Sequence, residues 1–593
     1  MNDRLIAMRD RQRLFLKRVA ERPREPPAPV WYANVGFLSC LAVGDRAKAD
    51  SLMREKLEMC LSFRSDCADF LLNLLFRALF LFPDRIDPGV KALIRQAAVS
   101  ARYYGGHTAR YPMFYSSENH HMSWATAEYL AAQQYPDDDF TFDGRPARAH
   151  FERARFLVAN WIDRRARWGY CEWNSAPYMG VNLMSLLNLA DFSADPEIRM
   201  LASLAVTRLL ADLAADSAGG GVWGAQARVY EPHVFSPYTQ PAATALMILL
   251  GAGDASRLND PTEGVGEVVA TTAYQPPEWL CRLADAGGGP QVNEERHLVE
   301  GDMLYMCRSA FWRAPLEITN EEARRKFAPD SLIEIPLRTE RTPDHLVSAV
   351  LLPRGHNMSK VDAQALYWMS CLNGRVPIFT TQPPVPADAR AQGQYWAGTA
   401  GVPRCGLKDG ILAAVYAGGK HAQDMTHAHF PTPDLDAWER RGGWFLGRSG
   451  DAYAGLLAPE GSALTADGRW AGREIKAPGG KAVWVAAFGS KSHDGGFSSF
   501  ADRCGRDIRV TVAEDRSAVE VAAPDTQLRV SYAEGVTVGG EAFSCAGWPQ
   551  MNNAVVQAGF GDAITTVTPS GESGIRLDFS AARRIAAEWE RAD

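Results

Sequence analysis

The sequence contains no Cys-x-x-Cys pair, the spacing on which zinc ribbons are built. Small disulfide-stabilised domains instead concentrate their cysteines in a short chain. Here the ten cysteines are scattered, at positions 40, 60, 67, 171, 281, 307, 371, 405, 504 and 545. The cysteine pattern therefore argues against both a zinc ribbon and a disulfide framework.

A concentration of positive charge is also missing. The chain has 63 Lys and Arg against 70 Asp and Glu, a net charge of -7, and a pI of about 6.0. Proteins that bind nucleic acid or anionic membrane surfaces carry basic patches or polybasic segments. We therefore expect neither a nucleic-acid partner nor a membrane partner.

No apolar run is long enough to span a bilayer, which takes ~20 residues. The most apolar stretch, residues 70–82, is interrupted by Asn73 and Arg77, and Pro83 ends it, so we interpret it as a buried helix. The first 18 residues are charged throughout and lack the apolar segment of a secretory signal. This predicts a cytoplasmic protein, or a periplasmic one if a leader precedes the sequence.

Two kinds of periodicity divide the chain. A chain of 593 residues is long enough for two cores, because single cores stop growing near ~250 to 300 residues. The first half has the periodicity and end signals of helices. We predict helices at 46–62, 66–82, 88–103, 118–134, 147–166, 179–191, 195–215, 240–250 and near 278–284. Their arrangement, long helices joined by short loops, favours stacked antiparallel helix pairs.

The second half alternates apolar and polar residues with a period of two. Residues 508–512, 518–521 and 528–532 show the pattern most clearly, and similar short strands recur between turn signals from about residue 297 to 580. This pattern predicts a large antiparallel β-sandwich. Gly- and Pro-rich residues 251–294 are interpreted as the linker, so the predicted domains are 1–285 and 286–593.

The stretch 117–124, Ser-Glu-Asn-His-His-Met-Ser-Trp, is the densest group of polar side chains at the start of a predicted helix. Burying a carboxylate, an amide or an imidazole without a partner costs roughly 1 to 3 kcal/mol. The group is therefore either a set of helix caps and interhelical ties or a functional site. Both interpretations remain open from the residues alone.

The loops between helices are rich in aromatic residues. Residues 168–178 read Trp-Gly-Tyr-Cys-Glu-Trp-Asn-Ser-Ala-Pro-Tyr. Pyranose faces stack on aromatic rings, so Trp173 and Trp223 are candidate platforms in a sugar-binding cleft. The structural alternative for each is that the ring anchors its loop.

Helix pairs followed by a sandwich, with Asn119-His120 in the helical half and Tyr178 further along in an aromatic loop, resemble polysaccharide lyases of the heparinase II/III and alginate-lyase type. The resemblance implies an N-terminal (α/α) toroid followed by a large antiparallel β-sandwich. It also implies a lyase that cleaves uronic-acid-containing polysaccharides or oligosaccharides by β-elimination, so the expected partner is an acidic glycan. Asn119, His120 and Tyr178 are the residues that match the pattern of the group.

The resemblance also implies a residue from the sandwich and, in some members, a structural zinc held by a His-x-His arrangement. His427 and His429 form the His-x-His of this sequence. His427 is therefore a candidate catalytic residue, and both histidines are candidate zinc ligands, since residues at i and i+2 of a strand point the same way. The structural alternative is that the two histidines satisfy local backbone groups. No cofactor is required by the predicted reaction.

Elimination across a uronic acid removes the C5 proton, which needs a base and a group that neutralises the carboxylate. Asn119 and His120 suit the second task. Tyr178 is the leading acid or base, and His120 is an alternative base. Tyrosine has a pKa near ~10 and needs a nearby cation to act as a base. Arg228 and Tyr230 would share one face of a strand, so Tyr230 is a second candidate base and Arg228 its cation. The remaining candidates for substrate binding are Glu118, His121 and Glu172.

A glycoside hydrolase on the same toroid is the rival enzymatic hypothesis. Hydrolysis needs two carboxylates about 5 to 9.5 Å apart, and Glu118, Glu172 and Glu231 lie in or beside the predicted cleft loops. A non-catalytic carbohydrate-binding protein is a third hypothesis, because a fold does not establish an activity.

Overall fold

A computed structural model describes residues 3–23, 35–62, 65, 67–104, 117–258, 264–285, 289–298, 334–351, 364–386, 394–569 and 573–591. A helix-rich N-terminal region is followed by a region of antiparallel sheets, as the sequence predicts. None of the helices within these ranges is long and apolar enough to cross a membrane.

The helical half consists of helices that pack mostly against their neighbours in the chain, around one large apolar core. Its helices are α1 (Asp3–Glu21), α2 (Phe37–Val43), α3 (Arg46–Leu61), α4 (Ala68–Leu81), α5 (Pro88–Ser100), α6 (Glu118–Gln134), α7 (Ala147–Trp168), α8 (Tyr178–Phe192), α9 (Pro196–Ala215), α10 (Pro241–Ala245), α11 (Val265–Thr271) and α12 (Glu278–Ala284). A π-helical turn, Leu246–Leu250, continues α10. Two short hairpins, β1 (Asp139–Phe140) with β2 (Arg145–Pro146) and β3 (Ser217–Ala218) with β4 (Gly221–Val222), lie between helices.

The helix ends follow from local side-chain chemistry. Asp195 caps α9, where its carboxylate accepts hydrogen bonds from the N–H groups of Glu197 and Ile198, and Pro196 occupies the first helical position. Ser117 caps α6 in the same way, accepting from the N–H of His120 at 3.4 Å. The cap fixes where α6 begins and so fixes the positions of the side chains in its first turn.

Antiparallel strands build the second half. The described strands are β5 (Gln291–Leu298), β6 (Glu334–Arg341), β7 (His345–Val350), β8 (Trp368–Leu372), β9 (Val376–Thr381), β10 (Arg404–Lys408), β11 (Ile411–Ala417), β12 (Met425–His429), β13 (Ala437–Arg441), β14 (Trp444–Ser449), β15 (Ala452–Leu457), β16 (Ala463–Leu464), β17 (Glu474–Pro478), β18 (Lys481–Ser490), β19 (Arg509–Val512), β20 (Ala518–Ala523), β21 (Thr526–Ser531), β22 (Gly535–Val538), β23 (Glu541–Ala542), β24 (Met551–Asn552), β25 (Val556–Ala558), β26 (Ile564–Val567) and β27 (Ile575–Asp578).

Within the described residues these strands form three sheets, and every strand pair is antiparallel. The largest sheet has twelve strands in the order β16-β17-β12-β9-β8-β7-β6-β5-β24-β25-β26-β27. It packs on a six-stranded sheet, β10-β11-β18-β15-β14-β13, around an apolar core. A five-stranded sheet, β19-β20-β21-β22-β23, covers the other face of the six-stranded one.

The end of the chain returns to the helical half. After two short helices within the sandwich, α13 (Lys491–Asp494) and α14 (Phe497–Arg506), the last helix α15 (Ser580–Arg591) packs on α7. Val556 and Leu577, on strands near this end, belong to the same apolar core as the helices. The large sheet therefore spans the junction, and loops from both halves meet beside it.

Candidate active site

Glu118, the first residue of α6, anchors the first turn of this helix to the surrounding protein. The Glu118 carboxylate is buried and accepts hydrogen bonds from the Arg165 guanidinium (3.0 Å), the Glu172 N–H (3.2 Å) and the Asn182 amide (3.3 Å). It also accepts a short hydrogen bond from the Cys171 N–H. Glu118 thus ties the aromatic loop 169–177 to α6. Both of its oxygens are engaged inside the protein, so this geometry favours an anchoring role over the predicted roles in substrate binding or as a hydrolytic acid.

A continuous hydrogen-bonded chain runs from α6 to two tyrosines. Asn119 donates its amide N–H to one oxygen of Glu172 at 2.7 Å, and Arg228 donates to the other oxygen at 2.9 Å. The same guanidinium donates to the hydroxyls of Tyr178 (2.8 Å) and Tyr230 (3.1 Å), and those two hydroxyl oxygens lie 2.6 Å apart. The structure therefore brings together five residues that the sequence analysis singled out separately.

Arg228 reaches this position through an unusual backbone conformation. Its φ is 48°, in the left-handed region that side chains other than glycine rarely adopt. The surrounding loop is held from both halves, because Ala227 N–H donates to the Trp173 carbonyl (2.9 Å) and Val229 N–H donates to the Gln364 carbonyl (2.8 Å). The strand predicted for Arg228 and Tyr230 is absent from this described loop. Their contact is made by a turn instead.

Ser175 fixes the two halves of the tyrosine site relative to each other. Its hydroxyl donates to the Arg228 carbonyl at 3.2 Å and accepts from the Tyr178 N–H at 3.4 Å. The Arg228 guanidinium also lies over the Tyr178 ring, 4.5 Å from its centroid. Tyr178, Arg228 and Tyr230 are all partly exposed, so the site has a face that a ligand can reach.

The electrostatics of the site keep Arg228 charged and Tyr178 protonated. Burial disfavours the charged form of Arg228, but Tyr178 and Glu172 outweigh it and raise the pKa of the guanidinium. Burial raises the pKa of Tyr178 well above its ordinary value, Arg228 opposes the rise, and Tyr230 and Glu172 add to it. Loss of the Tyr178 proton therefore depends on the cation beside it.

His120 lies in the same turn of α6 but belongs to a second branch of contacts. Its Nδ1 lies 2.9 Å from the Asp69 carboxylate, and its ring stacks on Phe70 with centroids 4.7 Å apart. These contacts fix the orientation of the imidazole. For the next residue, burial and the nearby Arg153 and Arg165 lower the pKa of His121 to about 3, so His121 is neutral at physiological pH.

His427 is not part of the tyrosine site. It is fully buried on β12, its Nδ1 lies 2.8 Å from Glu474, its Nε2 lies 2.6 Å from the Thr381 hydroxyl, and its ring stacks on Trp396 at 4.0 Å. Burial lowers its pKa, which Glu474 opposes. Both ring nitrogens of His427 are engaged within the protein, so this geometry does not favour the predicted catalytic role.

The two histidines also do not fit a zinc site. Both ring nitrogens of His427 are bonded within the protein, and His429 is buried with its Nδ1 2.7 Å from the Pro377 carbonyl. Within the described ranges no group of three or more His, Cys, Asp or Glu is arranged to hold a metal ion.

Trp173 and Trp223 do not line a cleft. Both side chains are fully buried, and Trp223 donates its indole N–H to the Ala218 carbonyl at 3.0 Å. A ring with no exposed face offers nothing for a pyranose to stack on. The predicted stacking role is therefore wrong for both, and the alternative of loop anchoring is correct.

Glu172 and Glu231 differ in how deeply their carboxylates are buried. Glu172 is buried with both oxygens occupied by Asn119 and Arg228, an arrangement that favours organising the site over binding substrate or acting as a hydrolytic acid. Glu231 follows Tyr230 and lies nearer the surface, where its carboxylate accepts from Arg469 at 3.1 Å. Sequence reasoning missed Arg469 and Asp69, because each meets its partner only through the fold.

No family model matches the chain, and no curated protein matches it. Among solved structures, a mutant chondroitin AC lyase of Streptomyces coelicolor A3 matches with 13% identity and a TM-score of 0.41, covering 96% of this chain and 88% of that one. Heparinase III matches with 10% identity and a TM-score of 0.34, covering 88% of this chain and 81% of that one. In the order of its two halves the chain resembles these polysaccharide lyases. At TM-scores below 0.5 these matches are not evidence about which reaction the protein catalyses.

Proposed function

We propose that the protein is a lyase that cleaves uronic-acid-containing polysaccharides or oligosaccharides by β-elimination. The observation that carries the proposal is the Arg228 guanidinium held within 2.8 and 3.1 Å of two tyrosine hydroxyls at a partly exposed surface. A cation between two phenols favours the phenolate form of either one. Tyrosinate is strong enough a base to remove a proton beside a neutralised carboxylate.

In the proposed reaction Tyr178, as a phenolate, takes the C5 proton of the uronate. The electron pair of the C5–H bond forms the C4–C5 double bond, and the C4–O bond breaks. The new phenol proton passes to the leaving oxygen, which returns Tyr178 to the phenolate. Arg228 and the Tyr230 hydroxyl hold the negative charge on Tyr178 before and after the transfer.

The uronate carboxylate is assigned to His120. The imidazole is oriented by Asp69 and the His120 side chain is 10% exposed, whereas Asn119 is fully buried. Hydrogen bonding to the carboxylate lets charge build up on it when C5 loses its proton. Asn119 serves the reaction indirectly in this proposal, by holding Glu172 and through it Arg228.

The bonding of the glutamates does not favour hydrolysis. Inverting and retaining hydrolases both need one carboxylic acid that gives a proton to the leaving oxygen. Glu118 and Glu172 accept hydrogen bonds from protein donors on both oxygens. Glu231 alone of the three lies partly exposed, in an ion pair with Arg469.

The test is a screen of the purified protein against alginate, glycosaminoglycan, pectic and glucuronan oligosaccharides. Two signals are followed, the ultraviolet absorbance of a new C4–C5 double bond and the formation of reducing ends. Elimination is expected to give both signals, and Tyr178→Phe is expected to abolish both. Reducing ends without absorbance would overturn the proposal in favour of hydrolysis, and silence in both signals across the panel would overturn it altogether.

A further inference from the structure

One exposed arginine of the sandwich lies beside the tyrosine site. The side chain of Arg469 is 77% exposed, and its guanidinium donates to Glu231, the residue after Tyr230, at 3.1 Å. Residues 469 and 231 are far apart in the chain, so the contact joins a sandwich loop to the helical half. Arg469 has no other carboxylate partner within the described ranges.

Arg469 is supported by an aromatic platform. Its guanidinium carbon lies 4.8 Å from the centroid of the Trp470 ring. Trp470 is partly exposed, and its ring lies 5.5 Å from that of Phe235 and 5.4 Å from that of the fully buried Trp396. Its neighbours hold the Trp470 ring in place, and the ring in turn orders the guanidinium above it by a cation–π contact. An ordered side chain binds a ligand at lower entropic cost.

The loop that carries both residues is ordered by its own hydrogen bonds. Ala471 N–H donates to the Gly468 carbonyl at 3.2 Å, and Gly472 N–H donates to the Thr465 carbonyl at 2.8 Å. Gly472 in turn accepts at its carbonyl from the Thr432 hydroxyl at 2.8 Å. These hydrogen bonds hold the loop in a defined position beside Glu231, the residue that follows Tyr230.

The Arg469–Glu231 pair is easily exchanged for another anion. An ion pair with this much exposure is weak, because water and salt screen it. A carboxylate or sulfate brought in by a glycan can replace Glu231 as the partner of Arg469 and form a bidentate contact with its guanidinium. Attraction of an anionic glycan needs such local cations, since the net charge of the protein is -7.

We infer that Arg469 and Trp470 form a subsite for an anionic sugar unit of the substrate, adjacent to the unit from which Tyr178 removes a proton. Arg469 binds the carboxylate or sulfate of that unit, and the Trp470 ring holds the guanidinium in position for this contact. This inference rests on the proposed function, because it places the subsite relative to the tyrosine site.

The test compares Arg469→Gln with Arg509→Gln, which removes an exposed arginine from the edge strand β19 of the five-stranded sheet. Loss of one charge-assisted contact is expected to raise KM on the order of tenfold, with kcat within about twofold, while Arg509→Gln leaves both unchanged. Non-sulfated glucuronan and sulfated chondroitin oligosaccharides are assayed in parallel. A larger effect on the sulfated series assigns the subsite to sulfate, and an equal effect assigns it to the carboxylate.

A second variant separates binding from a merely structural bridge between the two halves. Glu231→Gln releases Arg469 from its competing partner and is expected to lower KM. Equal rises in KM for Glu231→Gln and Arg469→Gln would show that only the bridge matters and would overturn the inference, as would Arg469→Gln behaving like Arg509→Gln. In both cases turnover by the wild type leaves the proposed function standing. Failure of the wild type to bind or cleave any acidic glycan would overturn the proposed function and this inference with it.

Discussion

At the scale of single residues, Arg228 connects the buried Glu172 to the two tyrosines of the site. Its left-handed backbone, with φ of 48°, costs a residue other than glycine about 1 to 3 kcal/mol. The conformation persists because its neighbours on both sides are held by backbone hydrogen bonds and its guanidinium has three partners, Glu172, Tyr178 and Tyr230. Backbone strain of this size is typical of functional sites.

The two tyrosines are predicted to contribute unequally. Tyr178→Phe removes the proposed base and acid and is expected to lower kcat by at least about 10³-fold, the upper part of the range for general acid–base groups. Tyr230→Phe removes only one of the two donors to the phenolate and is expected to lower kcat about 10- to 100-fold. The measurement is the initial rate of absorbance increase at saturating substrate. Equal losses for the two variants would contradict the assignment of Tyr178 as the base.

The raised pKa of Tyr178 predicts a rate that increases with pH. The active form is the phenolate, so kcat/KM is expected to rise about tenfold per pH unit from pH 7 to 9, below the pKa that burial has raised. Because Arg228 opposes that rise, Arg228→Gln should move the rising limb to still higher pH. Arg509→Gln is the control and should leave the profile in place. A wild-type profile that falls between pH 7 and 9 would contradict a tyrosine base.

At the scale of elements, the first turn of α6 links the helical array to the aromatic loop 169–177. Glu118 makes the link, since it accepts from Arg165 of α7 and from the backbone of the loop. Its side chain is 1% exposed and that of Arg165 is 5% exposed. Removing one member of a buried ion pair leaves the other without compensation.

Glu118→Gln is therefore predicted to destabilise the fold by about 3 to 5 kcal/mol. Glu58→Gln on the exposed side of α3 is the control, and its effect should stay within ~0.5 kcal/mol. Urea unfolding followed by circular dichroism compares the two midpoints with that of the wild type. Matching midpoints for the two variants would show that Glu118 does not anchor the loop.

The helices of the first half were predictable because their end signals are local. Asp195-Pro196 begins α9 where the sequence places it, and the predicted segment 118–134 coincides with α6. The short helices α2 and α11 span seven residues each, too few for a clear periodicity, and were missed. Helix α12 has the same length but was found, because Pro276-Pro277 marks its start. Strand segments such as 518–521 were found, but which strands lie side by side depends on contacts distant in sequence.

The site was predictable in part. Asn119, Tyr178, Arg228 and Tyr230 were singled out by residue type and position, and the structure joins them through Glu172. Trp173 and Trp223 were predicted to line a cleft but are buried. The sequence of an aromatic loop does not indicate whether its rings face a cleft or a core. Arg469 gave no local signal, since its partner Glu231 is 238 residues away.

At the scale of the whole molecule, buried acids cluster where the two halves meet. Glu295 on β5 accepts from the Asn293 amide at 2.9 Å and lies 3.0 Å from the His297 imidazole. Asp216, just after α9, accepts from Asn174 at 3.0 Å and also bonds the Thr339 hydroxyl of β6. Burial, together with the negative charge of Glu295, raises the pKa of Asp216 well above its ordinary value. The junction is thus built on carboxyl groups that favour their protonated form.

These carboxyl groups predict a fold that weakens as pH rises. Burial and the nearby Asp212 raise the pKa of Glu295 from 4.5 to about 8, so between these values the folded state binds a proton that the unfolded state has lost. Stability from this group is fully present below about pH 4.5 and declines up to pH 8, by at most about 5 kcal/mol. Glu295→Gln keeps an uncharged side chain and should flatten the decline. Glu294→Gln, on the neighbouring half-buried residue that pairs with Arg338, should leave it unchanged. Thermal unfolding midpoints at pH 5 and pH 8 measure the difference, and an equal pH dependence in wild type and Glu295→Gln would show that the junction does not titrate through Glu295.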